Sequence, residues 1–487
     1  MWALGYDAGD SLRFRKDLGW DRRTARDEDS MIDADNSRET MRLKASDLSR
    51  NNAIVAGLRK RFDTFFVGSG VRPQARTVNP TWNTAAEEFW QQYAGACDIR
   101  QQCDLRDLQG MSVSLTLVQG GLYFELLDNG QIRPIECERI RQPQNATEAK
   151  DFRDGVRTDP KTGIILGYKV HSRDADGGFG GKHEEVFIPR ENIFAVINPP
   201  WRPDQLREVP DLAEVIPTLI DIHEGNTYTL NTMKNQSMVI AALEKQGGGG
   251  VQSQARGAGA PAVGQRQIFP QVWGQIHELC NNEKLALLAS PTPGATHIPY
   301  LKFQTLLVAS ALNLPYEFCV LDFSPADFSR MKGILTVVNR VRRAKIDWLN
   351  RRFNQRLWNW RIAKAMKWGE LAPAPVDARG ISEWFKVDWQ GDEEITVDRK
   401  DGNEADRTEW QLGLGPLSNA ARRRGGDIEN LLREKGRIKA LARDIEKELD
   451  LPEGSLIQDQ VPGQTVPGAQ DQTNTPPKGV PPDEPAE

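Results

Sequence analysis

The chain has 487 residues, a formal net charge of −5, 27% charged and 39% hydrophobic residues, the profile of a polar globular protein of about two to four domains at about 100–200 residues each. No run approaches about 18 consecutive apolar residues, which argues against a membrane span, and the opening MWALGYDAGDSLRFRKDLGW puts acids and aromatics where a secretory signal needs a basic start and an apolar core. The expectation is a protein made and kept in a cytosol. Five scattered cysteines (Cys97, Cys103, Cys137, Cys280, Cys319) argue against a disulfide framework and lack the tight pairs of structural zinc; His277 and Cys280 form a two-ligand spacing without a second pair.

Residues 1–40 are charge-dense and weakly periodic, and read as an arm that orders only against neighbours. From Ser37 to Phe66 the positions Leu43, Leu48, Ile54, Val55, Leu58, Phe62 and Phe65 keep helical spacing, and Gly68-Ser69-Gly70 stops the helix. A second helix is expected from Asn83 to about Leu108, carrying Phe89, Trp90 and Tyr93. Between 110 and 200 the runs SVSLTLVQ, GLYFELLD, QIRPIEC, GIILGYKVH, EEVFIP and IFAVINP are separated by turn pairs such as Gly120-Gly121 and Asn129-Gly130, which predicts an antiparallel β-rich module. After Pro203 the chain reads as helix to about Lys245. Residues 246–267 (QGGGGVQSQARGAGAPAVGQRQ) read as a loop or insertion. QIFPQVWG, KLALLASP and HIPYLKF look like short strands beyond it, and LKFQTLLVASALNL a short apolar helix ending at Pro315.

A long basic helix is expected from about Ser329 to Trp368. Between Arg330 and Lys367 it holds twelve Lys or Arg against one acid, Asp347, so this element is strongly positive in an acidic chain. Its apolar positions Ile334, Val338, Val341, Trp348, Leu349, Phe353, Leu357, Trp360 and Ile362 form a stripe to be buried. The plain interpretation is a structural helix with a solvated basic face; the one-sidedness of the charge also suits an anionic partner, either nucleic acid or acidic surfaces of neighbouring subunits. No sequence-reading element is recognisable, so DNA contact would be to phosphates. A strand-like piece follows at 383–398, then an amphipathic helix from Asp427 with Ile428, Leu431, Leu432, Ile438, Leu441, Ile445 and Leu449. Residues 452–487, with eight Pro, four Gly and no aromatic, read as a disordered tail.

Catalytic motifs are sparse. Asp176-Gly-Gly-Phe-Gly-Gly-Lys182-His183 resembles a P-loop, but Asp and His stand where Gly and Ser or Thr are needed, and no helix follows; it reads as a hairpin loop. The carboxylates Asp388, Asp392, Glu393, Glu394 and Asp398 could in principle serve two metals, although acids interrupting a strand are usually a solvated edge. No G-x-S-x-G elbow occurs.

Leu314-Pro315-Tyr316-Glu317, Asp322-Phe323-Ser324 and Phe328-Ser329 with Lys332 resemble the "GvPyE…Dfs…YSS.R" signature of the lambda-type portal family of tailed phages. Asn313 stands where glycine is usual, Phe328 replaces Tyr and Lys332 replaces Arg. The likeness continues in Asn51-Asn52-Ala53-Ile54-Val55-Ala56-Gly57 with Asp63 and Val67-Gly68-Ser69-Gly70, and in Gly155-Val156 with Asp159, Gly163 and Tyr168. It extends to Arg202-Pro203-Asp204-Gln205-Leu206-Arg207, where Glu208 replaces a second glycine, and to Val397-Asp398 with Lys400, Ala405 and Gly413-Leu414, where Arg399 replaces proline.

That resemblance implies an α+β portal fold with a mixed wing domain, two stem helices flanking a small α/β clip, a long basic helix and a helical C-terminal crown. Its divisions would be an arm (1–40), wing (41–210), first stem helix (211–245), clip with the Gly-rich insertion (246–300), second stem helix (301–314), channel loop (315–331), basic helix and wing return (332–424), crown helix (425–451) and tail (452–487). It implies no enzyme activity and no cofactor or metal. The implied assembly is a ring of about twelve subunits at the capsid vertex, through which DNA is packaged and ejected. Partners would be double-stranded DNA without sequence preference, the terminase, the major capsid protein and tail adaptor or connector proteins, with no membrane. Asp322, Asp327, Arg330 and Lys332 are the DNA-channel candidates, and Arg340, Arg342, Arg343, Arg351 and Arg352 the subunit-interface candidates. The alternative is a metal-dependent DNA-processing enzyme built on the 388–398 carboxylates.

Overall fold

The computed structural model describes residues 37–173, 184–200, 202–238, 242–245, 283–286, 294–324, 327–396, 399–424 and 426–448. The Gly-rich insertion, the P-loop-like segment, His277, Cys280, Asp398, the tail and most of the arm lie outside these residues.

The helix expected over Ser37–Phe66 is three pieces. Helix α1 (Ser37–Asn51) and α2 (Ala53–Arg61) are parted at Asn52, whose backbone is extended and whose side chain accepts hydrogen bonds from Ile54 N and Val55 N at 2.9 and 3.3 Å. Asparagine favours such a cap because its carbonyl satisfies N–H groups that the first turn leaves open. A wide π turn (Phe62–Val67) then closes on Gly68, at φ 61°. Strand β1 (Arg72–Ala75) follows.

The helix predicted from Asn83 to Leu108 is also divided, into α3 (Pro80–Ala94) and α4 (Leu105–Val118), and SVSLTLVQ is helical rather than a strand. Two features override its β-branched composition. Asp104 and Asp107 form a reciprocal capping box. The polar side chains also satisfy themselves on the helix, Ser112 Oγ donating to Leu108 O at 2.7 Å and Thr116 Oγ1 to Val113 O at 2.7 Å. Almost the whole circumference of α4 is therefore buried, which periodicity alone does not distinguish from a buried strand.

The β-rich module begins at Gly121 and contains two antiparallel sheets. One has the order β3 (Ile132–Ile135), β2 (Gly121–Leu126), β8 (Ile193–Ile197), with Tyr123 opposite both Ile135 and Ala195. The other runs β4 (Phe152–Arg153), β5 (Val156–Thr158), β6 (Ile165–His171), β7 (Glu185–Pro189). β6 and β7, which flank the P-loop-like segment, pair antiparallel as hairpin arms do.

Helix α5 (Ile216–Met238) ends before Lys245, and β9 (Ala242–Lys245) pairs antiparallel with β10 (Glu283–Ala286). HIPYLKF is not a strand: it opens α6 (His297–Ala311), which packs on α5. A short α7 (Tyr316–Val320) leads to α8 (Phe328–Leu349), which passes through a π turn (Asn350–Asn354) into α9 (Gln355–Trp368), as the long basic helix was expected to do. Among the described residues of the 383–398 piece only β11 (Val387–Gln390) is a strand, paired with β1, 312 to 318 positions away along the chain (Ala75 with Val387, Arg72 with Gln390). α10 (Arg399–Gln411) and α11 (Leu417–Arg423), unforeseen in the sequence, precede α12 (Ile428–Glu448).

The main core joins the N-terminal helices to α8, α9 and the first sheet. Phe353 in the π turn is fully enclosed, with ring centroids 4.7 Å from Phe124 and 6.1 Å from Phe194; Trp358 lies 5.1 Å from Trp90. A smaller core, including Tyr123, Ile140, Val156, Tyr168 and Ile188, lies between the sheets.

Candidate functional site

The segment linking α6 to α8 is positioned by a left-handed residue at each end. Asn313, where the family pattern has glycine, sits at φ 54°, a conformation that glycine adopts freely and asparagine tolerates. Leu321 closes α7 at φ 58°. The segment is pinned to the π turn before β1: Phe318 meets Phe65 edge-on at 5.3 Å and stacks on Phe66 at 6.3 Å, and Arg61 Nη1 donates to Cys319 O at 2.7 Å. Cys319 is buried with it, which pushes its thiol up to about 12.

Asp322 accepts from Ser324 Oγ at 2.6 Å and from Ser324 N at 3.2 Å, bonds that lower its pKa. Asp327 caps α8, accepting from Arg330 N at 2.8 Å. The Arg330 side chain turns back to the buried carboxylate of Glu317 at 2.5 Å. Glu317 of the LPYE motif and Arg330 of the next motif are thus one clasp between α7 and α8. Lys332 is exposed.

The basic helix divides into inward and outward arginines. Arg342 is buried, and its Nη1 and Nη2 donate to Glu393 O at 2.6 Å and Asp392 O at 2.9 Å. It therefore ties α8 to the segment after β11 within its own chain and does not belong to the exposed face. Its spacing shows why: Ile334, Val338 and Arg342 recur every four residues on the buried stripe. Arg343 is exposed and paired with Glu394, whereas Arg340, Arg351 and Arg352 are exposed and meet no carboxylate among the described residues. Lys345 bonds Asp211 at 3.2 Å, and Trp348 Nε1 donates to Ile197 O at 3.2 Å, fixing α8 to the β-rich module.

Asp388, Asp392 and Glu394 are bound to separate cations or amides. Asp388 pairs with Arg76 at 3.1 Å and with Arg422 at 2.7 Å. Asp392 accepts from Ser69 N at 2.7 Å and from the Ser69 hydroxyl, while Glu394 holds Arg343. Among the described residues no group of three or more His, Cys, Asp or Glu is placed to hold a metal, and no helix is long and apolar enough to cross a membrane.

Sequence reasoning missed the buried polar site around Arg207 and Glu208. Arg207 donates to Glu208 through Nε at 3.0 Å and Nη2 at 2.8 Å, and to the carbonyls of Ile140, Asp154 and Cys137. Glu208 also accepts from Tyr123 OH at 2.8 Å and Arg38 Nη1 at 3.2 Å. Burial opposes its ionisation, but Arg207 and then Arg38 outweigh it and hold the carboxyl at about 2. The signal was present in Glu208 itself, the carboxylate that replaces a family glycine beside an arginine.

A search of curated proteins returns no match. Among solved structures, the neck of an empty GTA particle computed with C6 symmetry aligns at TM-score 0.42 and 12% identity, covering 84% of this chain and 94% of the other. The neck of a native GTA particle computed with C12 symmetry gives 0.40 and 12%, covering 77% and 90%. The virion of a native gene transfer agent particle gives 0.40 and 12%, covering 76% and 89%. The sequence profile described as "Phage portal protein, lambda family" matches residues 15–343, from the arm through the LPYE segment and most of α8. The chain belongs to the lambda family of phage portal proteins.

Proposed function

We propose that this chain assembles as a ring of about twelve copies at a capsid vertex and guides double-stranded DNA through its centre without reading its sequence. The family match over residues 15–343 carries this reading. Supporting it, α5 and α6 pack on each other yet leave Tyr228, Leu230, Tyr300, Phe303 and Leu307 exposed, the apolar surface that neighbouring copies of a stem would cover. The portal supplies no energy; the terminase hydrolyses ATP, and the same ring serves the major capsid protein and later the tail adaptors.

The 315–331 segment would approach the DNA, with Asp322 and Asp327 repelling phosphate and Lys332 attracting it. Such a mixture favours sliding, because each phosphate neutralised adds close to one unit of salt-dependent affinity. Arg330 contributes to the local field while clasping Glu317, so Lys332 is the cleaner probe. Arg340, Arg343 and Arg351 would face acidic surfaces of the adjacent copy, with Arg342 bracing the helix that presents them.

Lys332→Ala should leave assembly intact and reduce DNA retention in filled heads, scored as full against emptied particles. Loss of assembly with no separable retention defect would assign Lys332 to a subunit contact and contradict the channel reading.

A further inference from the structure

Three arginines converge on one edge of the β-rich module, none of them ion-paired to a carboxylate among the described residues. Arg190 follows β7, its backbone N–H donating to Leu166 O at 2.9 Å. Arg352 lies in the π turn, and Arg356, at the start of α9, has its guanidinium carbon 6.0 Å from the centroid of the Phe194 ring. Partial burial, followed by the Arg190 and Arg352 guanidiniums, pulls the Arg356 pKa down. All three are exposed, as is the neighbouring Leu166 at 44%. Like charges held together beside apolar surface call for an anionic occupant that also carries apolar side chains.

The chain contains such a segment. Residues 27–35 hold Asp27, Glu28, Asp29, Asp33 and Asp35 with no base, and Met31 and Ile32 lie in their midst. This stretch ends two residues before α1. Arg38, in the first turn of α1, bonds Glu208 at 3.2 Å; Tyr123 donates to the same carboxylate at 2.8 Å, and its ring centroid is 5.2 Å from that of Tyr168. Tyr168 lies within the fields of Arg356 and Arg190 as well as of Arg207 and Glu208. Glu208, Tyr123 and Tyr168 thus link the first turn of α1 to the surroundings of the arginine cluster through the module, and eight extended residues reach about 26–29 Å.

We propose that residues 27–35 of the arm dock on the Arg190, Arg352 and Arg356 cluster of their own chain, rather than against a neighbouring subunit. The carboxylates neutralise the guanidiniums, Met31 and Ile32 cover Leu166, and a strongly basic patch on the wing side is withheld from the DNA that the protein must let pass. A duplex backbone offers the charge without the apolar partner, which favours the arm as occupant.

The test uses the full chain with Met31 replaced by a benzophenone-bearing phenylalanine, irradiated as a mixture of isotopically heavy and light protein. Crosslinks should map within one chain to residues near 164–166, 187–194 or 352–356. They should fall about tenfold in Arg190→Glu/Arg352→Glu/Arg356→Glu, since exposed pairs are individually weak but act together. They should also fall in about 1 M salt, where the screening length is about 3 Å. Adding Asp27→Lys/Glu28→Lys/Asp29→Lys to the reversed cluster should restore them. Arg190→Gln/Arg352→Gln, which introduces no repulsion, should give an intermediate loss with an unchanged circular dichroism spectrum. Crosslinks confined to other surfaces, insensitivity to both cluster variants, linkage only between heavy and light copies, or displacement by a short DNA duplex would each overturn the proposal.

Discussion

Glu208 and Arg207 show how one departure from a family pattern reorganises its surroundings. A glycine at 208 would leave Arg207 among the carbonyls of Ile140, Asp154 and Cys137 with no counter-charge at that position; glutamate supplies one and recruits Tyr123 and Arg38. Removing Glu208 leaves the buried Arg207 with the Asp154 carboxylate at 3.4 Å in place of its two-point partner, so Glu208→Ala should destabilise the chain by about 3–5 kcal/mol in chemical denaturation. The pH dependence follows from the depressed pKa. Folding lowers the Glu208 carboxyl from 4.5 to about 2, so its contribution is present above about pH 4.5 and is lost as pH falls toward about 2. A wild-type stability advantage over Glu208→Gln that persisted unchanged to pH 2 would contradict this. Arg330→Ala is milder: it leaves Glu317 buried without its partner, but the arginine is half exposed, and about 1 kcal/mol is expected.

Among the elements, the regions legible in sequence were those with long periodic patterns. The basic helix, the antiparallel runs from GLYFELLD onward and the amphipathic C-terminal helix lie where spacing indicates. Misreadings arose where burial erases the period or where one residue interrupts it. SVSLTLVQ is enclosed on nearly all sides, so its composition suggested a strand. Asn52 breaks a helix whose apolar spacing runs on undisturbed. β11 finds its partner β1 more than 300 positions away, a pairing that no local pattern announces. The channel candidates were legible as motifs, but the clasp between Glu317 and Arg330 required the turn at Leu321. Arg342 was chosen on charge, although its spacing places it on the buried stripe.

Two substitutions probe this level. Gly121 sits at φ 147°, and an added Cβ would lie 2.4 Å from Val196 O and 2.6 Å from Ile197 Cα, both backbone atoms. Gly121→Ala should therefore force β2 from β8 and destabilise the module by several kcal/mol, at or beyond the about 1–3 kcal/mol usual for overpacking. Phe353→Ala should cost about 3–5 kcal/mol, because its ring joins the π turn to Phe124 and Phe194. Equilibrium unfolding checks both, and wild-type midpoints would show that the sheet and the turn tolerate what their packing suggests they cannot.

At the scale of the whole molecule, apolar side chains remain uncovered on several helices at once: Tyr300, Phe303 and Leu307 on α6, Leu412 and Leu414 after α10, and Leu431, Leu432, Ile438 and Leu441 on α12. A single copy leaves them in water, whereas a closed ring would give each a neighbour. Under the proposed function, the acidic net charge of the chain would suit a channel that must not grip its DNA, and the basic surface of α8 would serve contacts between copies. The central claim is assembly, and mass measurement under native conditions, with images of the same sample, tests it most directly. The account predicts a closed ring of about twelve copies with a central hole; a monomer that persists at micromolar concentration across salt conditions would contradict it.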